Sequence, residues 1–82
     1  MAKERILVVD DEEDIVELVR FHLAREGFAV ETAASGEEAL KKVRQGAFTL
    51  LVLDLMLPGL DGLEVARALK AETRTAGLPI VM

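Results

Sequence analysis

The 82-residue sequence has no cysteine, no tryptophan and no tyrosine, and only three phenylalanines and two prolines. The absence of cysteine excludes a disulfide scaffold and any thiolate zinc site, and it fits a reducing compartment. Positive charge is scarce: ten Lys and Arg stand against fifteen Asp and Glu, for a net charge of -5. Phosphate contacts need clustered Lys and Arg. Direct nucleic-acid binding by this chain is therefore not expected, and a cation or a basic partner is. No apolar run approaches the ~20 residues needed to cross a bilayer. Met1-Ala2-Lys3-Glu4-Arg5 leads into four apolar residues and then acids, with no secretory core. The expected location is cytoplasmic, away from membranes. With 51% hydrophobic and 30% charged residues, the expectation is one globular domain over 1–82.

What is present is an alternation. Four short apolar runs, Ile6–Val9, Phe28–Val30, Leu50–Leu53 and Pro79–Met82, are separated by helical patterns. The first and third runs lack the polar alternation of a half-exposed strand, so they read as strands covered on both faces. The first helix begins near Glu13 with Ile15, Leu18, Val19, His22 and Leu23 on its stripe, and Gly27 closes it. The second opens on a capping box, Ser35 and Glu38, places Ala39, Leu40 and Val43 inward and ends at Gly46. The third starts at Asp61, with Leu60 and Val65 spaced for a hydrophobic staple, and continues through Ala66 and Leu69. Such an order predicts an α/β protein with a doubly wound parallel sheet.

Two of the strands end in acids: Asp10-Asp11 after the first and Asp54 after the third. Ligands of doubly wound sheets sit outside the carboxyl ends of the strands, at the switch point. In strand order 2-1-3-4 the first and third strands are neighbours, and Asp10, Asp11 and Asp54 converge. Carboxylates about 4 Å apart repel by roughly 1 kcal/mol in water and more when partly buried. A cation is therefore expected among them, and an all-oxygen site with few carboxylates favours Mg²⁺. The structural alternative is that these acids cap the helices that follow. Lys41, Lys42 and Arg44 read as a solvated helix face, and His22 as a partly buried helix residue.

Ile6-Leu7-Val8-Val9-Asp10-Asp11-Glu12, together with Leu53-Asp54-Leu55-Met56-Leu57-Pro58-Gly59-Leu60-Asp61-Gly62, resembles the receiver domain of two-component response regulators. The wording around Asp54 further resembles receivers joined to winged-helix transcription factors. The resemblance implies a flavodoxin-like fold in the order 2-1-3-4. It also implies that Asp54 is the phosphoacceptor for a histidine kinase, without enzymatic turnover. By the same resemblance Asp11, Asp54 and the Met56 backbone carbonyl would ligate Mg²⁺, and Asp10 would hold it through water. A haloacid-dehalogenase-like phosphohydrolase would need a second Asp two residues after the nucleophile, where this chain has Met56.

Measured against that family, the chain stops inside the fourth strand. A Ser or Thr after that strand, a Lys ending a fifth strand and the last helices would be missing, which would slow phosphorylation of Asp54. Only the first helix would cover one side of the sheet. Side chains drawn from Leu50, Leu51, Val52, Leu53, Ile80 and Val81 would then lie bare, next to an unpaired fourth-strand edge. Self-association or a complementing chain is expected there, or else a structural assembly fragment without signalling activity.

Overall fold

Each of the four apolar runs forms a parallel strand, as the computed structural model of the chain shows for residues 3–82. Met1 and Ala2, which open the expected 1–82 domain, lie outside the described residues. The strands are β1 (Arg5–Val9), β2 (Ala29–Ala33), β3 (Leu50–Leu53) and β4 (Ile80–Val81). They stand in the order β2-β1-β3-β4. Between them run α1 (Glu13–Arg25), α2 (Gly36–Gln45) and α3 (Gly62–Ala71). The second strand starts one residue later than the apolar run suggests and extends three residues beyond it, through Glu31, Thr32 and Ala33. Polar Glu31 and Thr32 are tolerated because β2 is an edge strand, and all its residues but Ala33 are only half-buried.

β1 lies inside the sheet, and Ile6, Leu7, Val8 and Val9 are all buried. Alternation then sorts side chains by face. Leu7 and Val9 pair in register with Leu51 and Leu53. On that side they meet Ala39, Leu40 and Val43 of α2 and Val65, Ala66 and Leu69 of α3. Burying each large aliphatic side chain there contributes about 1.5–3 kcal/mol. Right-handed crossovers put α1 alone on the opposite side, where Ile6 and Val8 pair with Leu50 and Val52.

That second face corrects two expectations. Leu51 and Leu53 are fully buried, because alternation turns them toward α2 and α3. Ile80 pairs with Leu51 and packs against that same core. Leu50 and Val52 are half-buried, and Val81, which pairs with Val52, is exposed. The bare apolar area is therefore smaller than the run of names suggested. On α1 the least exposed residues are Val16, Val19 and Leu23, which are half-buried and share one face of the helix. Ile15 and Leu18 are 43% and 59% exposed, and His22 is exposed as well. By helical geometry these three flank the inner stripe on one side. Nothing in α1 is fully buried. The helix is therefore held by one partly covered row.

Caps follow the sequence. Ser35 Oγ accepts the Glu38 N–H at 3.1 Å, and the Glu38 carboxylate accepts the Ala34 N–H at 2.8 Å. The reciprocal bond thus lands one residue before the N-cap. Asp61 accepts the Glu64 N–H at 2.9 Å. At the far end of the sheet, Arg5 pairs with Glu31 and lies over the Phe48 ring. The buried Thr75 hydroxyl donates to the Leu69 carbonyl at 2.6 Å, tying the turn after α3 to the helix end.

Candidate functional site

The hydrogen-bond ladder runs one residue past the strands at their carboxyl ends. The Asp10 N–H donates to Ala33 O at 3.1 Å, and the Asp54 N–H donates to Val9 O at 3.0 Å. Both acids are thus anchored by their backbones before their side chains act. Each then turns the chain out of the sheet with one carboxylate oxygen. Asp10 Oδ1 accepts the Glu12 N–H at 2.9 Å, and Asp54 Oδ1 accepts the Met56 N–H at 3.1 Å. Short side-chain-to-backbone bonds of this type are what Asp supplies at turns. The helix-capping reading is only partly met. The N-cap of α1 is Glu12, with no side-chain cap bond, and Asp10 stabilises the turn ahead of it.

Asp10, Asp11 and Asp54 each offer a carboxylate oxygen, and these oxygens lie within 4.8 Å of one another. Asp10 and Asp54 are half-buried and Asp11 is exposed. Among the described residues this is a group of carboxylates close enough to hold one ion. An open cleft of about 460 Å³ lies to one side, lined by Asp11, Leu55, Met56, Leu57, Pro58 and Asp61. A second, of about 480 Å³, lies on the β2 side and shares Asp10 and Asp11. Met56 is 83% exposed, and its backbone is tied to Asp54 through its N–H.

The loop that carries Met56 is shaped by two glycines. Gly59 has φ +72°, a conformation that disfavours any residue with a Cβ. Gly62 donates its N–H to Leu55 O at 3.2 Å. A Cβ on Gly62 would lie 2.4 Å from Asp54 O, so only glycine lets α3 begin against the strand end.

Sequence reasoning named all three acids, and the fold brings them together. His22 lies on α1, edge-on against Phe21 with ring centroids 5.7 Å apart. It is more exposed than its place in the apolar pattern suggested, because the half-buried row falls on Val16, Val19 and Leu23. Lys42 departs from the solvated-face reading. It is half-buried, donates to Thr32 O, pairs with Glu38 and lines the cleft next to Asp10. Arg44 is held by Glu72 at 2.8 Å. Sequence reasoning missed Gly36, which packs against the Leu60 backbone. In the sequence it reads as no more than part of a helix start.

The model of the response regulator receiver domain matches residues 6–82, and the chain belongs to that family. It is thus a receiver domain of a two-component response regulator. It is 54% identical over 69 residues to the alkaline phosphatase synthesis transcriptional regulatory protein PhoP of Bacillus subtilis, covering 84% of this chain and 29% of that protein. The chain spans about a third of the curated relatives it matches. Among solved structures, the response regulator TrrA of Thermotoga maritima in complex with Mg(2+)-BeF is 48% identical. It superposes with a TM-score of 0.83, over 87% of this chain and 62% of that one. A complex of histidine kinase ThkA with TrrA matches with a TM-score of 0.86 and 45% identity, over 94% of this chain and 65% of that one. Among the described residues, no helix is long and apolar enough to cross a membrane.

Proposed function

We propose that Asp54 is the phosphoacceptor of this receiver and that Asp10, Asp11 and Asp54, with the Met56 backbone carbonyl, hold Mg²⁺. The observation that carries the reading is the meeting of three carboxylates at the ends of two adjacent parallel strands. The donor set fits the ion: it is all oxygen, hard and negatively charged. When bound, the ion offsets the negative charge of the carboxylate and of the incoming phosphoryl group. The chain does the rest. The β1–β3 ladder fixes Asp54 at its backbone. The Met56 N–H bond to Oδ1 orients the carboxylate. One carboxylate oxygen attacks phosphorus, the phosphorus–nitrogen bond of a phosphohistidine breaks, and an acyl phosphate forms. A histidine kinase is the phosphodonor that the ThkA–TrrA complex supports, and the names of the relatives support a parent protein that regulates transcription.

The test is incubation with acetyl phosphate and Mg²⁺, read by intact mass. One phosphoryl group should be gained, and none in Asp54→Asn. Absence of label refutes the reading, and steady turnover of a generic phosphate ester points to a phosphohydrolase.

We also propose that the 82-residue chain self-associates. The support is the uncovered side of β3 and β4, where half-buried Leu50 and Val52 adjoin exposed Val81 beside an outer strand edge. An apolar edge of this kind invites pairing with another chain. Sedimentation equilibrium showing a cooperative monomer at micromolar concentration would remove the proposal.

A further inference from the structure

Gly36, the first residue of α2, packs where a side chain cannot. A Cβ there would lie 2.4 Å from Leu60 O, 2.7 Å from Val65 Cγ2 and 3.2 Å from Leu60 Cβ. The nearest atom belongs to the backbone, so no rotamer change relieves the contact. Leu60 lies in the loop that leaves the sheet at Asp54. Its far end is held by Gly62, which sits on Asp54 O and donates to Leu55 O. Three residues before Gly36, Ala33 O accepts the Asp10 N–H. Next to Gly36, the Glu37 carboxylate lies 3.3 Å from where a Gly59 Cβ would stand. Gly36 therefore joins the β2–α2 connection, whose Ala33 carbonyl holds the Asp10 backbone, to the loop that carries Asp54 and Met56.

We propose that Gly36 is a positioning residue for the carboxylate site, acting through the Leu60 carbonyl on the loop from Leu55 to Asp61. The inference rests on the metal-binding reading above. A methyl at position 36 must move the loop or α2 by about 1 Å to turn a 2.4 Å approach into an ordinary 3.4 Å contact. Donors to a bound ion tolerate little displacement, and loss of the groups that orient metal ligands typically lowers affinity about 10- to 100-fold. The loop contains Met56, whose backbone is bonded to Asp54, so its displacement reaches the site directly.

The experiment is Gly36→Ala in the chain, followed by amide NMR without metal and then by Mg²⁺ titration. The expected result is a displacement of the amide signals of Asp54 to Gly62, with those of Phe48 and Thr75 at the other end of the sheet unmoved. Mg²⁺ affinity should fall on the order of 10-fold. Unmoved loop amides, or wild-type affinity, overturn the proposal. Val65→Ala added to Gly36→Ala frees the methyl contact but not the carbonyl. Full recovery of affinity in that double variant would assign the contact to the Val65 methyl and also overturn it. If Gly36→Ala is incompletely folded, both measurements are made in sucrose, which favours the folded chain. If the wild-type chain binds no Mg²⁺, the metal-binding reading fails, and the metal-free amide comparison alone decides whether Gly36 positions the loop.

Discussion

Asp54→Asn should make the metal-free chain more stable while removing its response to Mg²⁺. The substitution keeps the shape of the side chain and keeps an oxygen to accept the Met56 N–H. It removes one charge from a cluster whose oxygens lie within 4.8 Å of each other. At that separation a pair of like charges repels by about 0.9 kcal/mol in water and about 3.5 kcal/mol at an effective dielectric of 20. Asp11 is exposed and Asp10 half-buried, so the pairs sit toward the water end of that range. Relief of two pairs, with Asp10 and with Asp11, should raise metal-free stability by about 1–2 kcal/mol. An ion that binds only the folded chain at 100 times its Kd adds about 2.7 kcal/mol. Wild type should gain on that scale, and Asp54→Asn and Asp11→Asn far less. Asp10→Asn should retain more of the gain, since the family resemblance implies that Asp10 would hold the ion through water. Urea unfolding with and without saturating Mg²⁺ measures all of these. If Asp54→Asn destabilises the metal-free chain and still gains the full Mg²⁺ increment, the charge-cluster argument is wrong.

Other outcomes follow from packing and capping. Leu69→Ala removes a fully buried side chain between α3 and the sheet and should cost about 2–5 kcal/mol by urea unfolding, at the upper end if the cavity does not collapse. Ser35→Ala removes the Oγ that accepts the Glu38 N–H and should cost about 1 kcal/mol. Ser35→Asp should retain most of that, which separates the cap bond from simple truncation. Glu72 has its pKa lowered, first by the hydrogen bond from Arg44, against a smaller opposing effect of desolvation. A lowered folded-state pKa stabilises above the unfolded value and is lost as pH falls through the folded one. Arg44→Gln should therefore cost stability at neutral pH, and the difference should vanish in the acid limb of a pH titration of unfolding. A constant difference down to low pH would mean that Arg44 acts through packing.

Period and chemistry were legible in the sequence by themselves. The unalternated run at Ile6–Val9 marks a strand covered on both faces, whereas the run at Leu50–Leu53 reads the same way but buries only Leu51 and Leu53. Ser35 and Asp61 mark helix starts, because their side chains satisfy amides that the helix leaves unpaired. The acids at Asp10, Asp11 and Asp54 mark the site, because parallel α/β sheets gather ligands at their carboxyl ends. Other features depend on atoms distant in sequence, and only the tertiary structure decides them. Which of Leu50 to Leu53 are covered follows from the register with β1 and from α1 lying alone on its side. The half-buried row of α1 falls on Val16, Val19 and Leu23 instead of Ile15 and Leu18, because several apolar residues compete and docking chooses among them. Lys42 folds back onto Thr32, 10 residues away, where local pattern gives only a charged helix face. Gly36 shows the difference most sharply. Its neighbours specify a helix start, yet its lack of a Cβ matters because of Leu60, whose carbonyl the fold brings against it.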